Sequence, residues 1–213
     1  MTSVIWDMGG TLVDTYPEVD RVLAQAVWGP RPDAAQCAEV RGLRTVSIAH
    51  AIRELSRRHG VEAAALDRAY AELKLRWRTE PAPLMAGARE VMDAVRSGGG
   101  LNLVATHRDR ASAEDLLAAL DVQVDDMVCA PDGLPRKPDP AMNLMLLELH
   151  NLDPACVLAV GDRAIDVAAA VGSGVRPVLL VPHGSERPAT PGLEPVVIER
   201  LGELLPLLGA PGA

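Results

Sequence analysis

The chain opens with a short apolar run, Ser3 to Trp6, that stops at Asp7 and a glycine pair. A run that is apolar at consecutive rather than alternate positions, cut off by turn residues, predicts a strand buried on both faces. Three later segments repeat the design: LNLVATH from Leu101, CVLAVGD from Cys156 and PVLLVPHG from Pro177. Between them the apolar positions take helical spacing, in AREVMDAVRSGGG, ASAEDLLAALD and PAMNLMLLELHNL. Glycines stop the first of these helices and Pro140 starts the third. Strand and helix in alternation predict a doubly wound α/β fold around a parallel sheet, where ligands bind beyond the carboxyl ends of the strands. Asp7, Thr106 and Asp162 all fall at such ends, so the fold would gather residues distant in sequence into one crevice.

The stretch from Tyr16 to about Glu80 breaks the alternation. It has no strand-like run and several helical ones, TVSIAHAIRELSRRHG and VEAAALDRAYAELKLRWR among them. Tyr16-Pro17 and Glu80-Pro81-Ala82-Pro83 punctuate its edges, so two crossings would serve as a hinge. The expected division is an α/β core over residues 1–15 and 82–213, with a small helical insert over 16–81. After His183 the chain is rich in Pro and Gly until VVIERLGELLPLL, a closing strand or helix; the final GAPGA is expected to fray.

With 213 residues the chain can bury a large core without disulfide or metal support. Only 2% of residues are aromatic and none is Phe, so Leu, Val, Ala and Met must build that core. A net charge of −8 offers no basic field for nucleic acid or an anionic membrane, and any anionic substrate must be met by local cations. Cys37, Cys129 and Cys156 are odd in number and lack C-x-x-C spacing, which fits inert thiols in a reducing compartment. The start, MTSVIWDMGG, lacks the positive end and apolar stretch of a signal peptide, and no run approaches a membrane span; a cytoplasmic place is expected.

Four segments carry candidate chemistry. In IWDMGGTLVDT, Asp7 ends a buried strand beside backbone N–H groups freed by a glycine turn, an arrangement in which a carboxylate can attack phosphorus. LVATHRD ends an apolar strand in Thr106 and His107, and LPRKPDP fixes Lys137 between prolines. In VLAVGDRAIDVAAAVGSG, Asp162 and Asp166 stand four residues apart at a strand end, where both can face one hard cation such as Mg²⁺. Together, in this order, the four segments resemble the motif set of the haloacid dehalogenase-like hydrolase superfamily, from Ile5 to Gly174.

The resemblance implies a Rossmann-like core with a helical cap inserted after the first strand. It implies Asp7 as nucleophile, and Gly10, Thr11, Thr106, His107 and Lys137 around the phosphate, Thr106 and Lys137 taking part in catalysis. It further implies Mg²⁺ held by Asp7, the Gly9 carbonyl, Asp162 and Asp166, and a small phosphorylated metabolite as substrate. One position departs. The family motif is D-x-D-G-T, and its second Asp exchanges protons with the leaving group and the attacking water; here Gly9 stands there and can do neither. His107, whose ordinary pKa lies near 6.5, is a candidate for that lost role. Alternatives therefore stay open beside a phosphatase: a metal-independent 2-haloacid dehalogenase, and a binding protein that kept the pocket without turnover. His50, His59 and the basic stretch from Lys74 to Arg78 read as surface features, the last as a solvated helix face.

Overall fold

In the computed structural model, which describes residues 1–209, six parallel strands form one sheet in the order β3-β2-β1-β4-β5-β6. They are β1 Ser3–Trp6, β2 Asn102–Thr106, β3 Asp126–Cys129, β4 Val157–Gly161, β5 Arg176–Leu180 and β6 Val196–Ile198. The four predicted runs form β1, β2, β4 and β5, and the uncertain closing segment supplies β6 followed by short helical turns. Strand β3 is an addition: four residues that start in Asp are too short and too polar at one end to announce themselves. The end of the GAPGA tail, residues 210–213, lies outside the described residues.

Sheet order explains where the site must be. From β1 the chain steps outward to β2 and β3, returns, and builds β4, β5 and β6 on the other side of β1. The carboxyl ends of β2, β1 and β4 thus sit side by side at the point where the direction of winding reverses, the place where such sheets leave a crevice. Every residue of β1, β2 and β4 is buried, as continuous apolar runs require. Val4 pairs with Asn102 on one side and Leu158 on the other, which sets Asp7, Thr106 and Asp162 at neighbouring ends.

The segment between β1 and β2 is helical throughout: α1 Tyr16–Trp28, α2 Ala34–Arg44, α3 Ile48–His59, α4 Ala63–Arg76 and α5 Ala88–Ser97. The starts have local causes. Asp33 and Gln36 form a reciprocal capping box on α2, and Ser47 accepts from the His50 N–H at the head of α3. The two crossings are joined by backbone hydrogen bonds, Asp14 N–H to Pro83 O at 2.8 Å and Met85 N–H to Leu12 O at 2.9 Å. Helices cover both faces of the sheet: α6 Arg110–Ala119 and the short α9 Leu205–Leu208 pack on the same face as α5, and α7 Ala141–Leu149 and α8 Ala164–Gly172 on the other. None of the helices described is long and apolar enough to cross a membrane. The core is built from Leu, Val, Ala and Met as composition requires, with Trp6 and Trp77 fully buried among them.

One polar device holds β1 against β2. The Trp6 indole N–H donates to Asn102 Oδ1 at 3.1 Å, and Asn102 Nδ2 donates to the Met92 carbonyl at 3.0 Å, with Trp6 and Asn102 wholly buried. Asn102→Ala leaves a buried indole N–H unpaired and is expected to cost about 1–3 kcal/mol, read as a lower urea midpoint. A loss below about 1 kcal/mol would show that this pairing does not secure the strand next to Asp7.

Candidate active site

Asp7 follows β1 directly, Asp162 follows β4, and Asp166 sits in the first turn of α8. One carboxylate oxygen from each lies within 4.8 Å of the others. The approach depends on glycine: a Cβ on Gly161 would stand 2.2 Å from Asp166 Cβ, so only a bare backbone lets the first turn of α8 close on the strand end. Lys137 enters from the loop before α7 and is buried, its Nζ donating to Asp7 Oδ1 at 2.7 Å and Asp166 Oδ1 at 2.6 Å. Burial alone would lower the pKa of this ammonium, but Asp166 and Asp7 together outweigh it and hold it above the ordinary lysine value. The second oxygen of Asp166 accepts from the Arg163 backbone N–H at 3.0 Å.

Asp162 lacks a cation of that kind. It accepts from the Tyr16 hydroxyl at 2.9 Å on Oδ2 and from Thr11 Oγ1 at 3.3 Å on Oδ1. Burial first, then the charges of Asp166 and Asp7, push its carboxyl up to about 7, against the pull of Arg163 and the Tyr16 hydrogen bond. Three converging hard-oxygen donors, one of them strained toward neutrality by the other two, are a donor set that a divalent cation would satisfy.

The structure brings the other sequence-selected residues to the same place, with one correction. Thr106 ends β2 and its Oγ1 accepts from the Arg108 N–H at 3.2 Å, shaping the turn that carries His107. His107 is held down to about 4, chiefly by burial and then by Lys137, Arg163 and Arg136. A ring held that low favours the uncharged form at neutral pH, which speaks against the acid half of the acid/base role considered for it. In the basic stretch Arg76 and Arg78 are exposed, as expected of a solvated face, and Lys74 is half-buried. Lys74 reaches Asp109 at 2.7 Å, Arg78 reaches Asp115 at 3.4 Å and Arg76 reaches Glu18 at 3.7 Å, two of these tying α4 to the head of α6. Among the thiols, Cys129 is buried and Cys156 is exposed, so burial does not extend to all three.

Two residues were not singled out from sequence. Tyr16 served there only as a boundary, yet its ring fills the space over the glycine turn: a Cβ on Gly10, at φ +87°, would lie 2.1 Å from it. Arg44 of α2 stacks on that ring with its guanidinium 3.7 Å from the centroid, and is itself held by buried Asp20 through hydrogen bonds of 2.6 and 3.0 Å. The second is Arg163, an unassigned position between the two motif acids. Gly9 has no side chain at the site, and a Cβ there would stand 3.1 Å from Thr15 Oγ1.

A family model described as haloacid dehalogenase-like hydrolase matches residues 1–174. The chain belongs to this family. Among curated relatives, a phosphoglycolate phosphatase of Rhodospirillum rubrum is 30% identical over 87% of this chain and 81% of its own. An N-acetylmuramic acid 6-phosphate phosphatase of Pseudomonas putida is 28% identical over 83% of this chain and 81% of its own. Among solved structures, a subfamily IA hydrolase of the same superfamily from Geobacter sulfurreducens superposes with a TM-score of 0.73 at 25% identity, covering 98% and 97% of the two chains.

In this haloacid dehalogenase-like hydrolase the crowding of carboxylates has a measurable cost. Asp162 has a folded-state pKa above its ordinary 3.8. The folded protein therefore holds its proton more tightly than the unfolded chain, and stability falls as pH rises from about 4 through about 7. Asp162→Asn removes that penalty. In metal-free protein its advantage over the native chain is expected to grow by about 2 kcal/mol between pH 5 and pH 8, read as a widening difference in Tm. An equal difference at both pH values would contradict the raised pKa.

Proposed function

We propose that this chain is a Mg²⁺-dependent phosphatase of small phosphorylated metabolites, working through a phosphoryl group carried on Asp7, with residues 16–81 as a cap over the site. The observation that supports it most is the convergence of Asp7, Asp162 and Asp166 at the strand ends, with Lys137 buried between Asp7 and Asp166. A metal-independent dehalogenase has no use for such a donor set, and the relatives above are phosphatases of two different monoesters, which favours the shared chemistry over either substrate.

Asp7 has one oxygen engaged by Lys137. The other forms the bond to phosphorus while the phosphorus–oxygen bond to the alcohol breaks, and Lys137 holds the nucleophile oriented. Thr11, Thr106 and backbone N–H groups of the glycine turn would hold the phosphoryl oxygens. Mg²⁺, held by Asp7, Asp162, Asp166 and the Gly9 carbonyl, would supply positive charge against the phosphoryl oxygens. Water then attacks phosphorus, the bond to Asp7 breaks, and inorganic phosphate leaves with the carboxylate restored. The alcohol takes its proton from solvent, because Gly9 has none to give and His107 favours its uncharged form.

A positioned general acid contributes about 10²–10⁴-fold, chiefly for basic leaving groups. Turnover is therefore expected to be much faster for acyl and nitrophenyl phosphates than for sugar or alkyl phosphates. Gly9→Asp should raise alkyl-phosphate turnover by up to about 10²-fold, the low end of that range, because its Cβ makes Thr15 give by a few tenths of an ångström. A rate indifferent to leaving-group pKa, with no gain in Gly9→Asp, would mean another residue already donates the proton.

The reading itself is tested by a panel of phosphorylated metabolites assayed with and without Mg²⁺, beside Asp7→Asn. The variant keeps the shape of the side chain and is expected to fold normally while losing more than about 10³-fold in turnover. Activity near that of the native chain in Asp7→Asn, or equal activity in chelator, would defeat the proposal.

A further inference from the structure

Among the described residues, three buried side-chain polar atoms have no hydrogen-bond partner: Trp77 Nε1, His107 Nε2 and Arg163 Nε. Buried donors without partners are rare and costly, so each asks for a reason. Two of the three stand at one place. His107 follows the last residue of β2 and Arg163 comes two residues after the end of β4, and β1 with Asp7 lies between those strands. The two residues therefore stand at the strand ends on either side of the one that leads into Asp7.

Arg163 is the more costly of the pair. Its side chain is only 20% exposed and the nearest carboxylate oxygen, Asp166 Oδ2, is 3.9 Å from Nε, beyond hydrogen-bond reach. The charge that acts most strongly on it is that of Asp7, ahead of Asp166, Tyr16 and Asp162. Lys137, by contrast, is already spent on two carboxylates. A guanidinium is planar, always charged and matched to pairs of oxygens on phosphate, so an Arg held mostly out of solvent near a nucleophile, with its Nε unpartnered, is arranged for an anion that arrives.

We propose that Arg163, together with His107, clamps the oxygens of the phosphoryl group as it sits on or next to Asp7. Arg163 closes its fork on two oxygens and the His107 Nε2–H tautomer donates to a third. The clamp rests on the phosphatase reading given above. It also supplies charge stabilisation at a site where Gly9 withholds a proton, so tight binding of the transferring group offsets part of what acid catalysis would have provided.

The test is calorimetric titration of inorganic phosphate into the full-length chain with Mg²⁺ present, for the native protein, Arg163→Met and Arg163→Lys, with a thermal melt of each. Arg163→Met is expected to weaken phosphate binding about 10- to 100-fold, and Arg163→Lys, which keeps the charge but not the fork, to recover only part of it. If the Met variant does not fold, the Lys variant still decides: affinity equal to the native chain would overturn the clamp. Unchanged phosphate affinity in Arg163→Met would overturn it too. So would a defect seen only with monoesters whose alcohol bears a carboxylate, since Arg163 would then read the leaving group. Because phosphate binding is read without turnover, a native chain that binds phosphate but cleaves no monoester would defeat the phosphatase reading and leave this one standing.

Discussion

Three carboxylates held together out of bulk water dominate this molecule, because like charges at such separations repel strongly wherever solvent cannot screen them. The structure answers with one buried ammonium: Lys137 bridges Asp7 and Asp166, while Asp162 is left to hydroxyl donors from Thr11 and Tyr16. The parallel sheet exists, in functional terms, to bring those groups to adjacent strand ends, and its winding order forces β1 and β4 together. Gly161 allows the closest approach, since any side chain there would meet Asp166. What remains uncompensated at Asp162 is stability given up in the metal-free state, a common cost of a preorganised site.

Gly10 and Tyr16 fit together: without a Cβ at Gly10, the Tyr16 ring packs over the turn and its hydroxyl reaches Asp162. Through the stacked Arg44 and its ion pair with buried Asp20, this places the first two helices of the helical segment in mechanical contact with a core carboxylate. A residue at the start of the segment thus touches the same group that would hold the cation, which couples the helical segment to the site.

Much of this was legible in the chain itself, for physical reasons that also mark the limits. Strands buried on both faces write themselves as continuous apolar runs, and β1, β2, β4 and β5 were read that way; β3, with four residues and an acidic start, leaves no such trace. Asp7, Asp162 and Asp166 stood out because they end or follow apolar runs, and Lys137 because LPRKPDP resembles a segment of the family. Tyr16 and Arg163 did not, since what distinguishes them is an unfilled volume over a glycine and an unpartnered buried nitrogen, neither of which spacing encodes. Spacing also leaves out the surroundings of His107, whose ring burial and nearby cations hold low, and the ion pair of half-buried Lys74 with Asp109 at the head of α6.

The central claim is that Asp7 carries the phosphoryl group and that, with Gly9 in place of a carboxylate, nothing nearby activates water to remove it. Rapid acid quench after mixing the chain with Mg²⁺ and acetyl phosphate, followed by peptide mass mapping, reads this directly. The account predicts one added phosphoryl group on the peptide containing Asp7, accumulating in the native chain and declining in Gly9→Asp. Steady release of inorganic phosphate with Asp7 unmodified at every quench time would contradict it.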